Sequence, residues 1–158
     1  LIPFLTPWEF WQFVGDAYGV PREEQRLRLY EFADFVELPS HVQRKKKFIR
    51  DFSQGQRKKI GLVAAIMVRP RRLVLDEPFT HLDPRSRARF EELVLSLHAS
   101  HGTATVISSH DLEHVVDVSD RVLLIEEGRI LFDGSVDRNT LHVIRTHLTG
   151  RPLPPASR

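Results

Sequence analysis

Over its last two thirds the sequence alternates short apolar strands with helical segments, and this alternation restricts the fold to few architectures. A helix is predicted over residues 54–67 and stops before Pro70, after which the apolar residues 73–75 form a strand. A second helix runs from residue 84 through residue 97 and is expected to end near Gly102, and a β-branched strand over residues 103–108 follows. Strands separated by helices predict an α/β fold with a mostly parallel sheet that is covered on both faces.

The first third of the chain is predicted to be all helical. Thr6 is a candidate N-cap with Pro7 at the first helical position, and apolar residues recur at near-helical spacing up to Tyr18. A second helix opens at Pro21, and a charged connector occupies residues 41–51. An aromatic cluster in the first helix either packs a small helical subdomain or forms a groove for a helix of a partner. Its members are Trp8, Phe10, Trp11 and Phe13.

Downstream of the second strand the pattern predicts one more helix and a hairpin. The helix covers residues 110–117, and two short strands over residues 121–126 and 129–132 flank a Glu127-Gly128 turn. Residues 151–158 are rich in proline, so we expect them to form a disordered tail.

Composition narrows the class of protein. At 158 residues and 41% hydrophobic, the chain is long enough for one globular core. Its formal charge of +2 is too small to indicate nucleic acid or a membrane surface as a partner. Cysteine is absent, which excludes disulfides and thiolate metal sites and favours a cytoplasmic location. The longest apolar run, residues 62–68, is far shorter than the ~20 residues that a membrane-spanning helix needs.

Two acidic residues, Asp76 and Glu77, follow the predicted strand at residues 73–75. The carboxyl edge of a parallel sheet is where open α/β folds bind their ligands. Because side chains alternate along a strand, Asp76 can face a magnesium ion while Glu77 polarises an attacking water, and phosphoryl transfer requires both tasks. The alternative is a strand that simply ends at a charged turn.

The run Ser53-Gln54-Gly55-Gln56 predicts a phosphate-binding turn at the start of a helix. Ser53 supplies a hydroxyl, Gly55 allows close backbone approach, and the helix N-terminus presents amide N–H groups. Ser53 is equally an ordinary N-cap, which contributes ~1 kcal/mol to helix stability. The three cations at residues 57–59 either form a solvated face or favour nucleotide and acidic partners.

Asp83 and His110 are the remaining candidate site residues. Asp83 precedes Pro84, and on its own this pair is a routine helix start with Asp83 as the N-cap. His110 could bind a metal, because it lies on one helix face with His114 and Asp117. It is otherwise a core or surface histidine.

Taken in order, residues 52–56, 73–78, 82–84 and 109–111 resemble the second half of an ATP-binding cassette (ABC) ATPase. The resemblance implies a partial P-loop NTPase fold, preceded by a small α-helical subdomain, with ATP and Mg²⁺ as cofactors. It assigns Asp76 to the Walker B magnesium position, Glu77 to the general base, and His110 to the switch that contacts the γ-phosphate. It assigns Ser53, Gly55 and Gln56 to binding the ATP that the opposite subunit holds. It assigns Asp83 to the link between the two active sites of a dimer.

The sequence departs from the family pattern at several positions. Phe52 and Gln54 replace the usual residues of the signature, and His81 replaces a small residue before Asp83. Arg72 stands where the family has an apolar residue, so the strand is expected to begin late. No Gly-x-x-x-x-Gly-Lys-Ser/Thr loop occurs in the 158 residues, so we expect a fragment without ATPase activity of its own.

The resemblance also implies an organisation in segments. Residues 1–52 are expected to form the helical subdomain, and residues 53–134 the C-terminal part of the ATPase core. Residues 135–150 are then a C-terminal extension, followed by the tail at residues 151–158.

The implied function of the parent protein is ATP hydrolysis coupled to transport across a membrane. Its implied partners are a transmembrane permease subunit and a second nucleotide-binding subunit, in a homo- or heterodimer, with no nucleic acid. Contact with the cytoplasmic face of the membrane is expected only through the permease. Two alternatives remain, a non-catalytic remnant acting as an interaction module and a non-transport ABC ATPase of the translation-factor type.

Overall fold

The computed structural model describes residues 1–37 and 47–149, apart from the side chains at positions 113, 114 and 149. The chain divides into two compact units, Leu1–Ser108 and Ser109–Arg158. Residues 41–46 of the predicted connector at residues 41–51 lie outside the described residues, as does the predicted tail at residues 151–158.

The first unit combines five α-helices with one pair of parallel strands among its described residues. The helices are α1 (Pro7–Ala17), α2 (Arg22–Glu31), α3 (Ala33–Val36), α4 (Gln54–Ile66) and α5 (Pro84–His101), with a short 3-10 helix at Ile49–Asp51. The strands are β1 (Arg72–Asp76) and β2 (Ala104–Ser108), paired so that Arg72 lies opposite Ala104 and Asp76 opposite Ser108. The predicted alternation of helices and parallel strands is confirmed.

Local sequence features mark the start of α1 and the end of α3. Thr6 and Glu9 form a reciprocal capping box at the start of α1, with Pro7 in the first turn as predicted. The predicted second helix is divided, because α2 ends at Glu31 and α3 begins after Phe32. Glu37 then adopts a left-handed conformation (φ 49°) and ends α3.

The core of the first unit is aromatic and aliphatic. Phe90 of α5 is fully buried, and its ring lies 5.5 Å from the ring of Phe35 and 6.1 Å from that of Phe79. The indole Nε1 of Trp11 donates a buried hydrogen bond of 2.9 Å to the Ile60 carbonyl, which fixes α1 on α4. The aromatic cluster is therefore divided, since Trp11 is buried whereas Trp8 and Phe13 remain exposed.

One face of the strand pair is buried and the other is open. Leu73 and Leu75 are buried, whereas Val74 and Val106, which are register partners, are 76% and 64% exposed. Within the described residues, only one face of this pair is thus covered, although a parallel sheet is expected to be covered on both. The expectation that Arg72 lies before the strand is wrong, because Arg72 belongs to β1 and extends into solvent.

Helix α5 begins and ends where the sequence predicted. Asp83 caps its start and Pro84 occupies its first turn. It ends at Gly102, whose left-handed φ of 64° allows its N–H to donate to the His98 carbonyl at 2.8 Å.

Among its described residues, the second unit contains a hairpin and two helices. Its elements are α6 (Leu112–Val118), β3 (Arg121–Glu126), β4 (Arg129–Ser135) and α7 (Thr140–Thr149). The predicted turn is confirmed, since Glu127 (φ 48°) and Gly128 (φ 73°) are both left-handed and join antiparallel strands. Arg121 pairs with Asp133 across the strands at 2.7 Å and lowers the pKa of the Asp133 carboxyl below its ordinary value.

Among residues 1–37 and 47–149, none of the helices has the length and apolar character needed to cross a bilayer.

Candidate functional site

The two acidic residues lie together at the end of β1, beside the end of β2. The Ser108 hydroxyl of β2 donates a hydrogen bond to Asp76 Oδ1. Glu77 has a left-handed backbone (φ 46°), and its N–H donates to the Ser108 carbonyl and to Ser108 Oγ, both at 3.1 Å. The Thr80 hydroxyl donates to Glu77 Oε2 at 3.2 Å. The chain turns at Glu77, so the direction of its side chain follows from this turn rather than from the alternation of a continuing strand.

The start of α4 has the local structure that the signature-like run predicted. We call residues 52–56 the signature turn. Ser53 is the N-cap, and its Oγ accepts from the Gln56 N–H at 3.3 Å. Gln56 Oε1 in turn accepts from the Ser53 N–H at 3.3 Å, which completes a capping box. The N-cap interpretation of Ser53 is confirmed, and its side chain is exposed.

The interpretation of residues 57–59 as one solvated face is wrong for Lys59. Arg57 is exposed, but Lys59 is buried, with Nζ 2.7 Å from Glu37 Oε2 and 3.9 Å from Asp83 Oδ2. Lys58 Nζ donates to the Glu77 carbonyl at 2.8 Å and lies 3.4 Å from the Asp76 carbonyl. The side chains of Lys58 and Lys59 therefore connect α4 to the segment that contains the acidic residues.

The loop between β1 and α5, residues 77–83, approaches the signature turn closely. A Cβ added to Gly55 would stand 2.8 Å from the carbonyl oxygen of His81, which itself has a left-handed φ of 65°. At the end of this loop, Asp83 accepts from the Ser86 N–H at 3.0 Å and from the Ser86 hydroxyl. The Ser86 hydrogen bonds, with a smaller effect of Lys59, hold the pKa of the Asp83 carboxyl below its ordinary value of 3.8.

His110 lies in the second unit, ahead of α6, and is exposed. The Asp111 N–H beside it donates to the Ser109 hydroxyl at 3.1 Å. The alternative metal array needs His114, whose side chain lies outside the described residues. Within the part of the chain that the structure describes, no three His, Asp or Glu side chains form a group that could hold a metal ion.

The first unit thus brings the signature turn, the acidic strand end and the loop before α5 into one connected cluster. Ser108, Lys58 and Lys59 also belong to this cluster, although the sequence had not indicated them as site residues. Helical periodicity could have indicated Lys59, because residues three, four and seven positions further on are all buried in α4. Ser108 follows from strand register, since a parallel pair in register places it opposite Asp76.

The acidic strand end has the chemistry that a magnesium site needs. Asp76 is exposed and offers carboxylate oxygens at the sheet edge, with the Ser108 hydroxyl beside it. Mg²⁺ prefers hard oxygen ligands and is often bound by one or two carboxylates together with substrate phosphates and water.

A comparison with protein families gives the class of this domain. Residues 14–117 match the family model described as "AAA domain, putative AbiEii toxin, Type IV TA system". The match covers more than half of the chain, so the chain is an AAA domain in this classification.

Curated relatives give the particular family. An uncharacterized ABC transporter ATP-binding protein of Nostoc sp. is 35% identical over 148 residues, which cover 90% of this chain and 44% of that protein. The linearmycin resistance ATP-binding protein LnrL of Bacillus subtilis is 34% identical over 135 residues, covering 85% of this chain and 42% of LnrL. The chain belongs to the ABC transporter ATP-binding proteins. It spans slightly less than half the length of these relatives.

Solved structures agree on the fold. An ATP-binding subunit of an ABC transporter superposes with a TM-score of 0.77 at 24% identity, over 93% of this chain and 59% of that chain. The dimeric, post-hydrolysis structure of the cassette MJ0796 bound to ADP and Pi gives a TM-score of 0.69 at 22% identity, over 87% of this chain and 59% of that chain. The fold is therefore that of an ABC ATPase cassette.

Proposed function

We propose that this chain is part of an ATP-hydrolysing subunit of an ABC transporter, in which ATP binding and hydrolysis drive transport across a membrane. The observation that carries the proposal is the position of Asp76 and Glu77 at the carboxyl end of parallel strands, joined through Lys58 to α4, the helix that begins at the signature turn. The names of the relatives, among them aliphatic sulfonate import and linearmycin resistance proteins, support transport as the outcome.

Asp76 holds the metal in this proposal. Its carboxylate is exposed at the sheet edge, and the hydrogen bond from Ser108 leaves further oxygen lone pairs for a magnesium ion or its water shell. Bound Mg²⁺ neutralises charge on the β- and γ-phosphates of ATP.

Glu77 acts as the general base in this proposal. The Thr80 hydroxyl contacts Oε2, and β2 fixes the backbone N–H, so the carboxylate has a defined direction. A carboxylate held in this way can orient a water and accept its proton as the γ-phosphoryl group is transferred.

The signature turn binds the γ-phosphate of ATP held by a second nucleotide-binding subunit. Ser53 Oγ accepts from the Gln56 N–H, and the hydroxyl hydrogen can still donate to a phosphate oxygen. Gly55 carries no Cβ, and amide N–H groups at a helix start favour an anion. Asp83 links the two sites across such a dimer, and His110 contacts the γ-phosphate.

A transmembrane permease is the proposed partner on the membrane side, with this chain at the cytoplasmic face. Nucleic acid is not a proposed ligand, since the net charge is only +2. The chain contains no Gly-x-x-x-x-Gly-Lys-Ser/Thr loop, so we expect residues 1–158 alone to show no measurable ATPase activity.

The proposal is tested by Glu77→Gln in the intact protein. Loss of the base should lower the rate of MgATP turnover by about 10²- to 10⁴-fold, while the dissociation constant for ATP changes little. Turnover is measured by phosphate release, and ATP affinity by equilibrium binding. Retention of turnover, or an equal loss of binding and turnover, would remove Glu77 from the role of base.

A further inference from the structure

We propose that Lys58 is a positioning residue for Glu77, and that it couples the start of α4 to the direction of the Glu77 carboxylate. The role assigned to the carboxylate rests on the proposed function, whereas the positioning of the backbone does not. Lys58 projects from α4 five residues after the N-cap Ser53 and donates to the Glu77 carbonyl at 2.8 Å.

The backbone at Glu77 needs such support. A left-handed conformation is strained in a residue with a Cβ and persists only where surrounding contacts enforce it. On one side, the Glu77 N–H is held by the carbonyl and the hydroxyl of Ser108. On the other side, the Glu77 carbonyl accepts from Lys58 Nζ and, at 3.3 Å, from the Thr80 N–H.

The bond from Lys58 is the connection to the helix of the signature turn. An ammonium donor forms a stronger hydrogen bond than a neutral donor does, and this one is partly buried. Because the same ammonium also lies 3.4 Å from the Asp76 carbonyl, it contacts the peptide groups on both sides of Glu77. A displacement of the start of α4 would therefore alter the hydrogen bond from Lys58 to the Glu77 carbonyl. The direction of the Glu77 side chain would change with it.

The neighbouring cation offers a matched control. Arg57 precedes Lys58 on α4 and is exposed, and no hydrogen bond or ion pair of its side chain occurs among the described residues. Arg57→Met and Lys58→Met both remove one positive charge from the same helix turn. Only Lys58→Met removes a hydrogen bond to the Glu77 carbonyl.

The first measurement is amide hydrogen exchange in the 158-residue chain. Lys58→Met should speed exchange at the Glu77 N–H by about tenfold, the effect of losing one charged hydrogen bond nearby, and Lys58→Arg should restore most of the protection. Arg57→Met should leave it unchanged. Equal protection in the wild type and Lys58→Met would overturn the positioning role, whatever the function of Glu77.

The second measurement is MgATP turnover by the intact protein. Lys58→Met should lower kcat by about tenfold with KM for ATP within about twofold of wild type, because the reacting group loses its direction while binding is retained. A general charge effect would instead raise KM equally in Arg57→Met and Lys58→Met and would contradict the coupling. If Glu77→Gln keeps full turnover, the proposed function fails, and hydrogen exchange alone decides on Lys58.

Discussion

Glu77 combines a strained backbone with a side chain whose Oε2 accepts a hydrogen bond. Its φ of 46° turns the chain away from β1, and the Thr80 hydroxyl contacts Oε2. Ser108 and Lys58 hold the peptide groups on both sides of this residue. A base that must meet a water in one direction benefits from such fixation, since misplacement by about 1 Å can cost 10²-fold in rate.

Asp83 shows how a structural cap and a proposed site residue can coincide. The Ser86 hydrogen bonds that cap α5 also lower the pKa of its carboxyl, and Lys59 adds a favourable charge. Because the folded-state pKa lies below the ordinary value of 3.8, the charged carboxylate stabilises the fold above that pH. This contribution is lost as the pH falls through the lower, folded-state pKa.

The consequence can be measured with Asp83→Asn, which retains a side-chain acceptor for the cap but not the charge. At neutral pH the wild type should have the higher Tm. The difference should shrink once the pH falls below 3.8 and the wild-type carboxyl becomes protonated. Thermal unfolding of both proteins across this pH range is the measurement, and a difference in Tm that persists undiminished in acid would contradict the assignment.

In helix α4, the local sequence determines where the helix begins and ends but not which polar side chains are buried. Ser53 and Gln56 provide a capping box, and the helix stops shortly before Pro70, so its bounds could be predicted. The burial of Lys59 could not be predicted as readily, because it depends on Glu37 and Asp83, which lie far from it in sequence. Likewise, the left-handed turn at Glu77 depends on contacts from β2 and α4.

The close approach of α4 to the loop before α5 gives a further prediction. In Gly55→Ala the new Cβ would meet the His81 carbonyl oxygen at 2.8 Å, so either the helix or the loop must shift. We expect a loss of about 1–3 kcal/mol in the free energy of unfolding, the range typical of overpacking. Chemical denaturation measures it.

Gly61→Ala is the control within the same helix. Its nearest neighbour is the flexible Leu1 side chain at 3.5 Å, which is ordinary contact, and alanine favours helix over glycine. This variant should match or exceed the wild type in stability. Equal effects of the two substitutions would show that the Gly55 approach is not a tight one.

At the scale of the whole molecule, the fold class followed from the sequence because the alternation of helices and strands allows few arrangements. The number of strands in each sheet could not be predicted from the sequence. In the structure β1 and β2 form one two-stranded sheet, and β3 and β4 form another. Val74 and Val106 leave an apolar sheet face exposed beside Asp76. The chain spans only 44% of the length of the Nostoc relative. The activity of the whole protein is accordingly a proposal that dimer experiments must test.

The central claim is that Glu77 of one copy acts on ATP that faces Ser53 of another. It is tested most directly by dimers of the intact protein, isolated through two different tags, that carry Ser53→Arg and Glu77→Gln. With the substitutions on separate copies, one site carries both defects and the other is intact, so about half of the wild-type MgATP turnover should remain. The control places both substitutions on one copy, beside a wild-type copy, which damages both sites.

Turnover by the two dimers is compared directly, since each contains the same substitutions. We expect activity in the dimer with separate substitutions and almost none in the control. Activity in the control alone would place Ser53 and Glu77 of the same copy in one site and would rule out a site shared between two copies.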